Sequence, residues 1–125
     1  MYKVLVIDDD PSGTQLLITL LGLDGHQGYA VEHWRDPLHD VEALRPDLVI
    51  MDVRLRVTDG LDVLRQLRAH PVPALAATRV LMMSAEDFSA QCKAAGADGF
   101  VEKPFRLEAL TAAIQKVMEV RISDE

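Results

Sequence analysis

The chain alternates short, continuously apolar runs with longer stretches in which apolar residues return every three or four positions. Val4-Leu5-Val6-Ile7 and Leu48-Val49-Ile50-Met51 are apolar at successive positions, as expected of strands covered by helices on both faces. These two strands are predicted to be central. Five strands are expected in all, at Lys3 to Asp8, Tyr29 to Trp34, Asp47 to Asp52, Arg79 to Ser84 and Gly99 to Glu102. A first helix follows the Asp10-Pro11 start signal and carries Leu16, Leu17, Leu20 and Leu21 as one stripe, ending near Gly25. A second, short helix carries Leu38, Val41 and Leu44 and stops before Pro46. The third follows Gly60 with Leu61, Leu64 and Leu67 inward, and gives way to a Pro71-Val72-Pro73 connector. A fourth runs from Ser89 to Ala95 and stops at Gly96. The last places Leu107, Leu110, Ile114 and Val117 on one face before a polar tail, Ser123-Asp124-Glu125. Strands alternating with helices predict βα units around a parallel sheet.

Composition narrows the class. At 125 residues the chain has room for a single domain, and 49% hydrophobic with 26% charged residues is a soluble, globular balance. Thirteen basic against twenty acidic residues give a net charge of −7, which disfavours direct binding to nucleic acid phosphates. No apolar run approaches the roughly 18 residues of a membrane span, and the start MYKVLVIDDD lacks the apolar stretch of a signal peptide, so a cytoplasmic location without membrane contact is expected. The single cysteine, Cys92, lies in an Ala-rich helical stretch and reads as a packing residue. The four histidines, His26, His33, His39 and His70, show no ligand spacing and are assigned no role.

The chemistry gathers at strand ends. Asp8-Asp9-Asp10 closes the first predicted strand, Asp52 the third and Ser84-Ala85 the fourth, and Lys103-Pro104 follows the fifth. Ligands of open parallel sheets bind outside the carboxyl ends of the strands where strand order reverses; in a 2-1-3-4-5 sheet that point lies between strands one and three. Several carboxylates crowded there need a shared proton or a cation, and a hard divalent ion such as Mg²⁺ suits oxygen ligands with positions left for water and phosphate. An Asp carboxylate is also a nucleophile for phosphoryl groups. Phosphoryl transfer is mostly positioning and charge stabilisation, for which Lys103 and the Ser84 hydroxyl are available. Asp10 is better read as a helix cap, and Ser84 has capping of the fourth helix as its bland alternative.

These segments, Val4 to Pro11, Pro46 to Asp52, Asp59-Gly60-Leu61, Val80 to Ala85 and Gly96 to Phe105, resemble in order and interval the receiver domains of two-component response regulators, over nearly the whole chain. The resemblance implies an α/β, flavodoxin-like fold: a doubly wound five-stranded parallel sheet in order 2-1-3-4-5, with residues 1–125 as one receiver domain. It implies that Asp52 accepts a phosphoryl group from a phosphohistidine of a sensor histidine kinase or phosphotransfer protein. Mg²⁺ would be held by Asp9, Asp52 and the backbone carbonyl of Arg54, with Asp8 assisting. Ser84 and Lys103 would hold phosphoryl oxygens, Phe100 would be the aromatic switch residue, and the Lys103-Pro104 bond would be cis. The domain would act as a phosphoacceptor switch, assisting its own phosphorylation and dephosphorylation, and not as an enzyme. Its output partner would meet the fourth helix, fifth strand and fifth helix; homodimerisation is compatible with this.

Some positions depart from the family pattern. Arg56 replaces the usual proline four residues after the phosphoacceptor, Trp34 and Pro37 stand where Ala and Gly are more common, and the second helix is short. Ala113 takes the place of an arginine usual in winged-helix regulators, which favours a stand-alone receiver or a different output. Two rival readings fit the residues less well. An aspartate-nucleophile phosphatase of the haloacid-dehalogenase type would need an Asp-x-Asp motif and a cap, whereas Arg54 stands two after Asp52. A binding module that has lost phosphorylation would not need the full set of Asp8, Asp9, Asp52, Ser84 and Lys103. Arg54 and Glu86, two after Asp52 and Ser84, are placed to meet across the mouth of the site or else to stay solvated for partner recognition.

Overall fold

The computed structural model describes residues 1–119, so the polar tail at Ser123 to Glu125 lies outside the described residues. The elements are β1 (Lys3–Ile7), α1 (Pro11–Leu23), β2 (Gln27–Ala30), α2 (Pro37–Leu44), β3 (Leu48–Asp52), α3 (Gly60–Arg68), α4 (Pro73–Ala76), β4 (Arg79–Ser84), α5 (Ser89–Ala95), β5 (Gly99–Glu102) and α6 (Leu107–Val117). The five strands are all parallel, in the order β2-β1-β3-β4-β5. This is the α/β architecture and strand order expected.

Because β1, β3 and β4 are apolar at consecutive positions, their alternating side chains build two cores. Leu5, Ile7, Val49, Met51, Val80 and Met82 pack with Val41, Leu61, Leu64, Leu67 and Cys92 beneath α2, α3 and α5. Val4, Val6, Leu48, Ile50, Leu81 and Met83 pack with Leu17, Leu21, Leu110, Ile114 and Val117 beneath α1 and α6. Helices end where their residues dictate. Asp10 accepts the Ser12 amide at the start of α1 at 3.3 Å, with Pro11 as its first residue, and Asp59 accepts the Leu61 amide at the start of α3 at 2.8 Å.

Three expectations need correction. β2 runs from Gln27 to Ala30, not from Tyr29 to Trp34: it pairs with β1 from Lys3 opposite Gln27 to Val6 opposite Ala30. Its end is set by Asp40, whose carboxylate takes the amides of Glu32 at 3.2 Å and His33 at 2.9 Å and draws the chain away from the sheet. The α1 stripe is narrower than four leucines, for Leu17 and Leu21 are buried while Leu16 is 60% exposed on the flank of the helix. The Pro71 to Pro73 connector leads into one helical turn, α4, which Pro73 starts and which buries Leu75. The fourth and fifth helices expected from the sequence are therefore α5 and α6.

Candidate functional site

β1 and β3 lie side by side in register, with Ile7 opposite Met51, so Asp8, just past the end of β1, and Asp52, the last residue of β3, lie at the same edge. Lys103 reaches them from the end of β5: its Nζ lies 2.6 Å from Asp52 Oδ2 and 3.3 Å from Asp8 Oδ2. Burial alone would lower the Lys103 pKa, but the hydrogen bond and charge of Asp52, with Asp8 behind it, hold it above its ordinary value. The ammonium is therefore charged. Asp8 and Asp52 are both buried polar residues, and Asp9 stands half-buried at the rim. Three carboxylates against one ammonium leave an excess negative charge in one place. An all-oxygen set of that kind suits a hard divalent cation, so the residues fit Mg²⁺.

The carboxylates are held by local backbone. Asp52 Oδ1 accepts the Arg54 amide at 3.0 Å, and Asp8 Oδ1 accepts the Asp10 amide at 3.0 Å. The Asp8 carbonyl takes the Thr14 hydroxyl at 2.8 Å, which ties the strand end to α1. Asp9 Oδ2 accepts the backbone amide of Arg56. That contact gives meaning to a departure from the family pattern, since a proline at this position would have no amide to offer. Ser84, one step along β4 from the residue facing Asp52, is buried; its carbonyl accepts the Lys103 amide at 2.7 Å and its hydroxyl oxygen accepts the Glu86 amide at 3.2 Å. It does not cap α5, which starts after Phe88 without a side-chain cap. The Lys103-Pro104 bond is cis, as expected.

Around the mouth, the Arg54 guanidinium lies 2.9 Å from Glu86 Oε1 and 5.3 Å above the Phe88 ring. The two long side chains placed by sequence position at neighbouring strand ends do meet. Phe100 is half-buried on β5 opposite Met82, packed against the core beneath α5. A groove of about 230 Å³ opens on the other side, lined by Leu16, Leu20, Pro104 and Phe105 next to Asp8 and Lys103.

Residues 4–115 match the response regulator receiver domain. The chain belongs to this family. Receiver domains are phosphoacceptor switches rather than enzymes, and the family generally uses Mg²⁺ at the phosphorylation site. The receiver is 32% identical over 128 residues to the response regulator MprA of Mycolicibacterium vanbaalenii, covering 98% of this chain and 53% of that protein. It is 28% identical over 122 residues to the regulatory protein AtoC of Escherichia coli, covering 95% of this chain and 26% of that protein. It therefore spans about half or less of these relatives' length. Among solved structures, the chemotaxis response regulator CheY4 of Vibrio cholerae superposes with a TM-score of 0.83 at 30% identity, over 94% of this chain and 99% of that one. Among the described residues no helix is long and apolar enough to cross a membrane.

The receiver's other titratable residues divide in two. Cys92 is buried and burial pushes its thiol up to about 11, which leaves it a packing residue, as expected. The histidines are less scattered than their spacing suggests: His33 comes together with Glu32 and Asp40 where β2 meets α2. No periodic signal could reveal this, because the residues span a loop and a helix start; only the fold of the loop onto Asp40 assembles them.

Proposed function

We propose that this chain is one receiver domain that takes a phosphoryl group onto Asp52 from a phosphohistidine of a sensor kinase or phosphotransfer protein, with Mg²⁺ held by Asp9, Asp52 and the Arg54 carbonyl and Asp8 assisting. The observation that carries the reading is Lys103 Nζ bridging Asp52 and Asp8, because it gathers the ends of three strands at one reacting point. A carboxylate oxygen of Asp52 attacks phosphorus, the P–N bond to the donor imidazole breaks, and the imidazole leaves and takes up a proton. The Arg54 amide holds Asp52 Oδ1 in place, which fixes the plane of the nucleophile before attack. Lys103 passes from Asp52 Oδ2 to a phosphoryl oxygen, and the Ser84 hydroxyl turns to donate to another. The carboxylates of Asp9 and Asp52 and the Arg54 carbonyl would hold Mg²⁺, which would supply charge neutralisation for the phosphoryl oxygens. In this sense the domain assists its own phosphorylation, and by the same groups its hydrolysis.

Movement of Ser84 toward the phosphoryl group frees space for Phe100 to turn inward, altering the surface of α5, β5 and α6 that an output partner or a second copy meets. With a net charge of −7 and no membrane-length helix among the described residues, the reading is of a cytoplasmic switch acting on protein rather than on nucleic acid. Treatment with acetyl phosphate, read by intact mass, tests the core of it. The wild type should gain one phosphoryl group only with Mg²⁺, and Asp52→Asn should gain none; an equal gain in Asp52→Asn refutes the assignment.

A further inference from the structure

A second set of ligand atoms lies away from Asp52. Glu32, His33 and Asp40 each bring one donor atom to within 4.8 Å of the others, where the chain leaves β2 and enters α2. His33 Nδ1 and Asp40 Oδ1 are only 3.2 Å apart. That is about the separation of two ligands sharing one metal at bond lengths of about 2.0–2.2 Å. The His39 ring packs beside that of His33, its centroid 4.2 Å away, and its nitrogens are not among the gathered donors, which come from Glu32, His33 and Asp40. We propose that these residues form a binding site for a divalent late transition-metal ion of the Zn²⁺ class, separate from the phosphorylation site.

The donor chemistry sets the class of ion. Imidazole favours zinc and its neighbours over Mg²⁺, which prefers an all-oxygen set such as Asp8, Asp9 and Asp52. The site is also largely organised before any ion arrives. Asp40 is buried and its carboxylate accepts the backbone amides of both Glu32 and His33, so the segment that carries two of the ligands is already fastened to the third. Hydrogen bonds of this kind orient a ligating carboxylate. The side chains of Glu32 and His33 lie on the solvent side, which leaves an open approach. On binding, the ion takes the place of the hydrogen bond between His33 and Asp40, with the imidazole neutral and its Nδ1 lone pair on the metal. A bound ion would clamp the β2–α2 loop, and with it the edge of the sheet next to β1.

Titration of the full chain with zinc sulfate in saturating Mg²⁺, by calorimetry and by competition with a chromophoric chelator, tests the site. The expected result is uptake of one Zn²⁺ per chain with micromolar affinity, a shift of the His33 ring nitrogens in NMR, and loss of about tenfold or more in affinity in both His33→Ala and Glu32→Gln. His26→Ala should bind as the wild type does. Asp40 is left intact because it also holds the loop, and His33 is exposed enough that its removal should leave the circular dichroism unchanged. Absence of uptake, or uptake that persists undiminished in His33→Ala and Glu32→Gln, overturns the proposal. So does uptake that disappears in Asp9→Asn, which would put the ion at the phosphorylation site.

Discussion

At the scale of single residues, two side chains that the phosphoryl chemistry does not require bear on how long a phosphorylated state would last. Arg54 and Glu86 pair at 2.9 Å with both side chains more than half exposed, so their contribution to stability is small, about 0.2–1 kcal/mol. Their effect on access is a separate matter. The Phe88 ring beneath the guanidinium gives Arg54 a second hold, which keeps the pair over the mouth of the site instead of swinging free. Hydrolysis needs a water in line with the phosphorus–oxygen bond that breaks, and a barrier raised by about 1.4 kcal/mol slows it tenfold. Phosphorylated wild type should therefore outlast the double variant Arg54→Asn, Glu86→Ala severalfold in Mg²⁺. Identical half-lives, timed by the decay of the phosphorylated mass, would leave the pair without this role. The pairing was open to sequence reasoning because both residues sit two places after strand-end residues. The Phe88 contact was not, since it depends on how the loop before α5 closes.

At the scale of elements, Gly60 links the start of α3 to the backbone that carries Asp52. A Cβ there would collide with the Asp52 carbonyl oxygen and lie 3.0 Å from both the Val53 Cα and its carbonyl oxygen. These are backbone atoms at the end of β3, so they yield only if the strand end moves. Gly60→Ala should lower stability by about 1–3 kcal/mol, read as an earlier urea midpoint, and should slow labelling by acetyl phosphate, because Asp52 is carried by the backbone that shifts. Unchanged midpoint and labelling would mean the loop absorbs the methyl group without moving Asp52. Elements differ in how plainly the sequence announces them. β1, β3 and β4 are apolar on both faces and stand out in the sequence, and their ends mark where the candidate residues Asp8, Asp52 and Ser84 lie. β2 was displaced because it is an edge strand with mostly exposed side chains, so hydrophobicity does not mark it. Backbone pairing with β1 places it, and Gly28 within it allows close approach of α1, where a Cβ would come 3.2 Å from Ile18 and Leu21 side-chain atoms. The single turn of α4 was hidden for a different reason: four residues are too few for a period to show.

At the scale of the whole molecule, one side chain fastens the edge opposite the site. The Arg68 guanidinium, at the end of α3, donates to the carbonyls of Gly96 at 2.8 Å, Ala76 at 2.8 Å and Thr78 at 2.7 Å, and to Asp98 Oδ2 at 2.9 Å. Asp98 in turn accepts the Val80 amide at 2.9 Å. Arg68→Ala removes these four donated hydrogen bonds at a part-buried position and should cost about 1–3 kcal/mol in chemical denaturation, and Arg68→Lys should recover only part, since an ammonium lacks the planar fork. Equal stability of Arg68→Ala and wild type would remove the arginine from this role. The atoms it gathers all precede β4 or β5, so they lie at the amino ends of those strands, whereas Asp52, Ser84 and Lys103 stand at or beyond carboxyl ends. Held at their amino ends by Arg68, β4 and β5 are also joined at their carboxyl ends by the Lys103 amide on the Ser84 carbonyl, so the two strands form one unit anchored on the side away from the site. If a phosphoryl group is taken up at the site, the displacement it causes would be carried by β4 and β5 together, as a tilt about the Arg68 anchor that is largest at the rim. The pivot should be legible in amide exchange, with slow amides at Val80 and Asp98 beneath a faster rim at Glu86 and Asp87.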